Sequence, residues 1–296
     1  MKYLIPQIIS SPIVDRYDIW LNTELEDDII FLESLAKMYS KINIVYQPDG
    51  VINGNKSINA FFKKAIDEDT IYIRLDDDVL WIEPDFFEKM VEFRIKNREF
   101  FLVSPIIINN AICSYILQHY GKLFYNKKLT SNCFDLDSWV DADFALKLHK
   151  QFLNKIEEGT TQSLYVPHTQ ISLNRFSINS VCWFGSEFKK FDGLVLGDEE
   201  EYISTLKPME LNKINSFAGN ILISHFAFFT QRKVLDTSNL LTLYEKMIDK
   251  TYARNQEYVK IKKYIFGMSG LVEDEFSLKS FFKLPKLKGN KEVKLL

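Results

Sequence analysis

Cysteine is scarce in this sequence, and so are long apolar runs. Its 296 residues include three cysteines, Cys113, Cys133 and Cys182. They lie far apart and form no Cys-x-x-Cys pair, which excludes a disulfide framework and reads as buried free thiols of a reducing compartment. No apolar run approaches the ~20 residues of a membrane span. Residues 1–14 hold one lysine and two prolines, and polar Gln7, Ser10 and Ser11 interrupt any apolar stretch, so no signal peptide is read there. Basic charge is not in excess: Lys plus Arg is 37 and Asp plus Glu is 40, a net of −3, which excludes a general nucleic-acid binder. Internal repeats are absent, and there are only four histidines. The expectation is a soluble cytoplasmic protein. Apolar residues at 46%, with 14% aromatic, are ample for the core of one large domain or two.

The order of elements suggests a sheet with helices on its faces. Residues 18–22 read as a strand, 25–38 as a helix with acids in its first turn, and 42–46 as a strand. Pro48, Gly50 and Gly54 break the chain into a loop before a short amphipathic helix over 58–66. A strand from residue 71, a helix over 85–96 and a strand over 100–105 follow. This β-α-β alternation predicts a largely parallel sheet. Beyond residue 110 the rhythm loosens: a helix over 142–156, strands over 163–166, 175–183 and 221–229, and a long helical stretch over 240–265.

The stretch IYIRLDDDVLWIEP, residues 71–84, poses the main chemical question. Three adjacent carboxylates, Asp76, Asp77 and Asp78, end a strand that reads as buried, although they repel one another and are costly to bury. A solvated turn with a helix cap is one reading. A hard-cation site built on oxygen ligands is the other. Side chains alternate along a strand, so Asp76 and Asp78 share a face that Asp77 does not.

Asp76-x-Asp78 after an apolar strand resembles the DxD motif of GT-A glycosyltransferases. Gly54, Lys56 and Asn59, in GNKSINAFFKKAIDEDTIYIRLDDD, are similar in spacing to the pattern before the aspartates in family 2 enzymes. SVCWFGSEFKKFDGLVLGDEEEY (180–202) resembles the acceptor-side region ending in an acidic pair, and GNILISHFAFFTQR (219–232) a late histidine segment of bacterial relatives. The likeness covers about residues 16–245. It implies a GT-A-like, Rossmann-like α/β fold with a mostly parallel central sheet flanked by helices. The implied divisions are a catalytic domain over 1–240, a helical extension over 241–276 and a basic tail over 277–296.

The same likeness implies an activity: metal-dependent, inverting transfer of a sugar from a nucleotide-sugar donor to a hydroxyl on a glycan or other acceptor. Mn²⁺ or Mg²⁺ would be held by Asp76, Asp78 and His225. Lys56, Asn59, Asp76 and Asp77 would lie on the donor side, with Asp77 supporting the turn. The acceptor would meet Asn109, Asn110, Trp183 and Phe184. The base would come from the acids after Gly197, with Asp198 first and Glu199 second. Each has a plainer reading: Lys56 as an exposed lysine, Asn109 and Asn110 as a turn, Trp183, Phe184 and His225 as core, and the acids as a helix first turn. A catalytically weak sugar- or partner-binding module of the same fold is the alternative function. A nucleotidyltransferase lacks its expected Gly-rich phosphate loop here. Residues 3–13 read as the end of a helix where the family opens on a nucleotide-binding strand, so the expectation is either that the chain begins late or that YLIPQII is a distorted first strand. Residues 277–296 carry six lysines and one glutamate, a solvated tail or a weak membrane-surface contact.

Overall fold

The computed structural model describes residues 3–54, 56–172, 174–269 and 293–295. The strands are β1 (Tyr17–Leu21), β2 (Ile42–Tyr46), β3 (Ile71–Leu75), β4 (Val79–Ile82), β5 (Val103–Ile108), β6 (Leu123–Tyr125), β7 (Thr169–Ile171), β8 (Ser180–Phe184), β9 (Asn215–His225) and β10 (Val293–Leu295). The longer helices are α1 (Leu4–Ile9), α2 (Glu26–Met38), α3 (Phe86–Lys96), α4 (Ala111–His119) and α5 (Ala142–Glu158). Four short helices follow, α6 (Gly185–Lys189), α7 (Glu199–Glu201), α8 (Lys207–Glu210) and α9 (Arg232–Leu235), and then α10 (Leu240–Tyr252) and α11 (Gln256–Ser269). Among the described residues no helix is long and apolar enough to cross a membrane.

The architecture is mixed α/β, but the mostly parallel sheet expected from the alternation is not what forms. The main sheet runs β3-β8-β5-β9-β4, with β7 also paired to β9. Only β5 and β9 pair in parallel; β3·β8, β5·β8, β4·β9 and β7·β9 are antiparallel. The parallel pair β1·β2 forms a separate two-stranded sheet. Two features of the chain cause this. Between β3 and β4 there is no crossover helix, only Asp76, Asp77 and Asp78, and a parallel neighbour needs a long crossover. Antiparallel β8, from the half of the sequence with the looser rhythm, then inserts between β3 and β5.

That short connection also bends the sheet. Leu75 and Val79 are joined by at most about 14 Å of chain. Their strands stand at opposite ends of the five-strand order, roughly 19 Å apart if the sheet were flat at about 4.8 Å per step. The sheet therefore curls until its two edges meet at the aspartates. Strands β3, β5 and β9 point the same way, so their C-terminal ends and the starts of β4 and β8 gather at that one end of the sheet.

Several expected elements differ in detail. Residues 58–66 form a 3₁₀ helix, Ile58–Lys64. The strand expected over 163–166 is a 3₁₀ turn, Thr161–Leu164; Pro167 has no N–H with which to extend a ladder. The expected strand over 175–183 is extended coil until Ser180. The helical stretch over 240–265 breaks into α10 and α11 because Asn255 accepts the Tyr258 N–H at 3.0 Å and starts a new helix. Of the expected basic tail, residues 277–292 and 296 lie outside the described residues; β10 pairs antiparallel with β6.

α1 falls within residues 3–13, where a helix is expected, and it covers the edge of β4. Buried Gln7 acts as a one-residue strand there: its Nε2 donates to Leu80 O at 2.7 Å, and its Oε1 accepts the Ile82 N–H at 2.9 Å. Tyr252 of α10 donates to Ile82 O at 2.9 Å. An open edge is thus closed by side chains. Gln7→Leu should lower stability by about 1–3 kcal/mol for each of the two orphaned buried groups, read as a fall in urea midpoint at unchanged m-value. An unchanged midpoint would mean that water replaces the amide.

Candidate active site

The aspartates occupy a tight turn. Val79 N–H returns to Asp76 O at 3.2 Å, and Asp76 N–H reaches Asn179 O at 2.9 Å, which extends the β3·β8 pairing by one bond. On the far side Phe226 N–H donates to Asp78 O at 3.0 Å, and Val79 stands opposite His225. The turn is therefore clamped between the start of β8 and the end of β9. Asp77 is exposed, while Asp76 and Asp78 are half-buried.

This clamp brings Asp76, Asp78 and His225 together. Each offers a ligand atom, and these atoms lie within 4.8 Å of one another. His225 Nε2 is 3.2 Å from Asp78 Oδ1. Its Nδ1 lies 3.1 Å from Asn109 O, a carbonyl that can only accept, so Nδ1 carries hydrogen. Asn109 has a left-handed backbone, φ 64°, which aims that carbonyl. Two atoms without hydrogen facing each other at 3.2 Å would repel. A proton or a cation must lie between Nε2 and Oδ1. Without a cation it is a proton: burial pushes the His225 imidazole down, but the Asp78 charge outweighs it and raises its pKa above the ordinary value. Asp78 answers in kind. Burial pushes it up, and His225 and Arg232 hold it below the usual carboxylate range. Two carboxylates and an imidazole tethered through its second nitrogen fit a Mn²⁺-type ion, and second-shell tethering of this kind orients metal-ligating histidines.

Three residues that the sequence reading did not single out complete the surroundings. Arg232 Nη2 pairs with Asp78 Oδ2 at 2.6 Å and is 42% exposed, a cation at the mouth of the triad. Arg74 Nη2 bridges Asp76 Oδ1 at 3.1 Å and Glu199 Oε1 at 3.2 Å. Asn179 Nδ2 donates to Asp76 Oδ2 at 2.9 Å. Arg74 was within reach of the alternation argument, since it stands two residues before Asp76 on the same face. Arg232 is the last residue of the late histidine segment. Asn179 carries no local signal; only the pairing of β3 with β8 puts it there.

The acids after Gly197 divide into different roles. Gly197 has φ 65°, and Asn59 Nδ2 donates to its carbonyl at 2.9 Å, which anchors the turn to the chain before β3. Asp198 caps α7, accepting the Glu201 N–H at 3.0 Å, and its other oxygen pairs with Arg175 at 3.0 Å; its side chain is 50% exposed. Glu199 instead turns inward to Arg74, only 17% exposed. Its Oε2 is buried and has no hydrogen-bond partner among the described residues. Burial, opposed by Arg74 and aided by Asp76, raises its pKa to about 7. Asp198→Ala should cost about 1 kcal/mol through the lost cap, seen as a lower melting temperature.

The other expected contacts are placed elsewhere. Asn109 and Asn110 are fully buried. The Asn109 amide donates to Phe226 O and Gln231 Oε1, both at 2.9 Å. Asn110 caps α4 through Cys113 N–H at 3.1 Å and donates to Asn179 Oδ1 at 2.9 Å. Both support the triad from behind and present nothing to an acceptor. Trp183 is a core residue, its Nε1 donating to Ala65 O at 3.1 Å. Phe184 lies under Arg94 and Arg98, with guanidinium carbons 4.3 Å and 5.3 Å from its ring centre. Lys56 is exposed, and no contact among the described residues joins it to the triad. A cavity of about 330 Å³ lies along β1 and β2, lined in part by Arg16, Asp18 and Lys64, and includes none of the triad. No family model matches the sequence, and no curated protein and no solved structure matches it.

Proposed function

We propose that this chain is a metal-dependent glycosyltransferase that moves a sugar from a nucleotide-sugar donor to an acceptor hydroxyl with inversion. The observation that carries the reading is the meeting of Asp76, Asp78 and His225, ligand atoms within 4.8 Å of one another, at the sheet end where Glu199 is held by Arg74. Asp76, Asp78 and His225 would hold Mn²⁺ or Mg²⁺, which when bound supplies Lewis-acid neutralisation of the departing diphosphate. Arg232, exposed beside Asp78, adds a positive group for the same phosphates. Glu199, with one oxygen unpartnered among the described residues and a pKa raised to about 7, takes the proton of the acceptor hydroxyl. The acceptor oxygen then bonds to the anomeric carbon. The bond from that carbon to the diphosphate oxygen breaks, and its electron pair leaves with the nucleoside diphosphate. Asp198, committed to its cap and to Arg175, leaves the base role to Glu199. Free, buried Cys113, Cys133 and Cys182 suit a cytoplasmic location.

A thermal-shift screen of uridine, guanosine, thymidine and cytidine nucleotide sugars, each with and without Mn²⁺, tests the reading. Binding to the native state at a hundredfold excess over Kd stabilises by about 2.7 kcal/mol. At least one donor should raise the melting temperature only when Mn²⁺ is present. A flat response to every donor with Mn²⁺ sinks the proposal.

A further inference from the structure

An aromatic group on the rim of the site has no part in the chemistry above. The π-helical turn Leu136–Val140 carries Trp139 between Phe134 and Phe229. The ring centroids are 5.1 Å and 5.3 Å away, and both pairs are edge-to-face, at 83° and 82°. Phe229 is 77% exposed, and Leu136 on the same turn 78%. Keeping such side chains in water is costly and usually marks a contact surface. The surface is also rigid. Asp135 caps the turn through the N–H groups of Asp137 and Ser138, at 3.1 Å and 2.9 Å, and Thr230 Oγ1 donates to Trp139 O at 2.7 Å.

The group joins the site at both ends. Phe228, 6.0 Å from Trp139, packs 4.9 Å from His225. The Arg175 guanidinium lies 4.8 Å over Phe134 and pairs with Asp198 at 3.0 Å and Glu200 at 2.9 Å, the two neighbours of Glu199. Side-chain contacts thus run in a closed circuit from the triad, through Arg74 and the acid turn, to Arg175, the aromatic group and back to His225. One arc is aromatic and the other is carboxylate.

We propose that Phe134, Trp139 and Phe229 form the acceptor subsite and that it takes a neutral pyranose ring of a glycan. A pyranose has an apolar C–H face and a polar hydroxyl edge. A rigid aromatic surface bordered by charged hydrogen-bonding groups matches both. Charge argues against a bilayer or a phosphorylated carrier headgroup: around the aromatic group Asp135, Asp137, Asp141 and Asp143 outnumber Arg175, which lies over Phe134, and Lys127, which pairs with Asp137 at 3.0 Å, whereas anionic surfaces recruit an excess of basic groups. The assignment of this ring as an acceptor rests on the glycosyltransferase reading; the sugar contact itself does not.

Saturation-transfer difference NMR on the full chain tests it, with maltose, cellobiose, lactose and N,N′-diacetylchitobiose as probes, in the presence and absence of UDP and Mn²⁺. At least one disaccharide should bind saturably. Its affinity should fall about threefold to tenfold in Phe229→Ser, the loss of one aromatic contact, and stay unchanged in Ile30→Ser, an exposed apolar residue of α2 outside the site. Phe229 is exposed, so that variant keeps its fold. The proposal is overturned if none of the four binds, if Phe229→Ser binds as wild type does, or if the residue matters for phosphatidylserine vesicles and not for sugars. Sugar binding without any Mn²⁺-dependent donor binding would leave the subsite standing and fell the enzyme reading; the converse would remove the subsite alone.

Discussion

Asp78→Asn should abolish Mn²⁺-dependent donor binding, a loss beyond a hundredfold by calorimetry, while the chain stays folded. The change removes the carboxylate that faces both His225 Nε2, at 3.2 Å, and Arg232 Nη2, at 2.6 Å. An amide keeps the shape and loses the anionic oxygen that a hard cation requires. Breaking a buried ion pair often costs 3–5 kcal/mol, roughly, because a lone charge is left behind. Here neither partner is stranded. His225 can release its proton, since Asp78 is what raises its pKa against burial. Arg232 is 42% exposed and already lies 3.9 Å from Asp236. The expected stability loss is therefore nearer ~1 kcal/mol, the ordinary size for a lost hydrogen-bonded contact. The pH dependence follows from the signs. Asp78, held below its ordinary value, contributes stability at neutral pH that is lost as pH falls through its folded pKa. His225, held above its ordinary value, contributes at low pH and loses that contribution as pH rises through its folded pKa. The variant should show neither dependence. Wild-type Mn²⁺ affinity in Asp78→Asn would strike it from the ligand set.

The aspartate turn shows what local sequence can and cannot say. Alternation along β3 put Asp76 and Asp78 on one face, and the apolar run before them marked a strand end; both are properties of adjacent residues. The partners of that turn are properties of pairing. Asn179 reaches Asp76 only because β8 lies beside β3, and the direction and position of β8 are fixed by which apolar strands bury one another. A parallel sheet was the natural reading of β-α-β alternation, yet a three-residue link between β3 and β4 overrides it by curling the sheet. Trp183 shows the same limit. An aromatic at the end of an apolar strand reads equally as a ligand platform or as core, and only the packing of Phe62, Tyr72 and Phe188 around it decides for core. The acid run is the third case. Four acids in a row are equivalent in sequence, but a helical turn points them apart: Asp198 caps, Glu200 pairs with Arg175, and Glu199 alone turns to Arg74.

That separation fixes the second large effect. Glu199→Gln should lower turnover by about a hundredfold to ten-thousandfold, the usual contribution of a general base, and leave donor affinity near wild type, because the lost interaction is made only in the transition state. The pH behaviour distinguishes a base from a structural acid. With its pKa raised to about 7 by burial, Glu199 is protonated and idle in mildly acidic solution and becomes competent as pH rises through that value. Stability moves the other way. The folded chain binds this proton more tightly than the unfolded chain, whose glutamate sits at 4.5; between those values the native state holds the extra proton, so rising pH lowers stability. The full shift corresponds to something on the order of 3 kcal/mol. Melting temperature should fall across the interval in which activity climbs, and Glu199→Gln should flatten both profiles. Asp76 is among the charges that raise Glu199. Neutralising it with Mn²⁺ should move the activity midpoint to lower pH than the midpoint of the metal-free stability curve. A Glu199→Gln enzyme that keeps wild-type turnover and the wild-type pH profile would take the base role away from this residue and leave the inverting assignment without its proton acceptor.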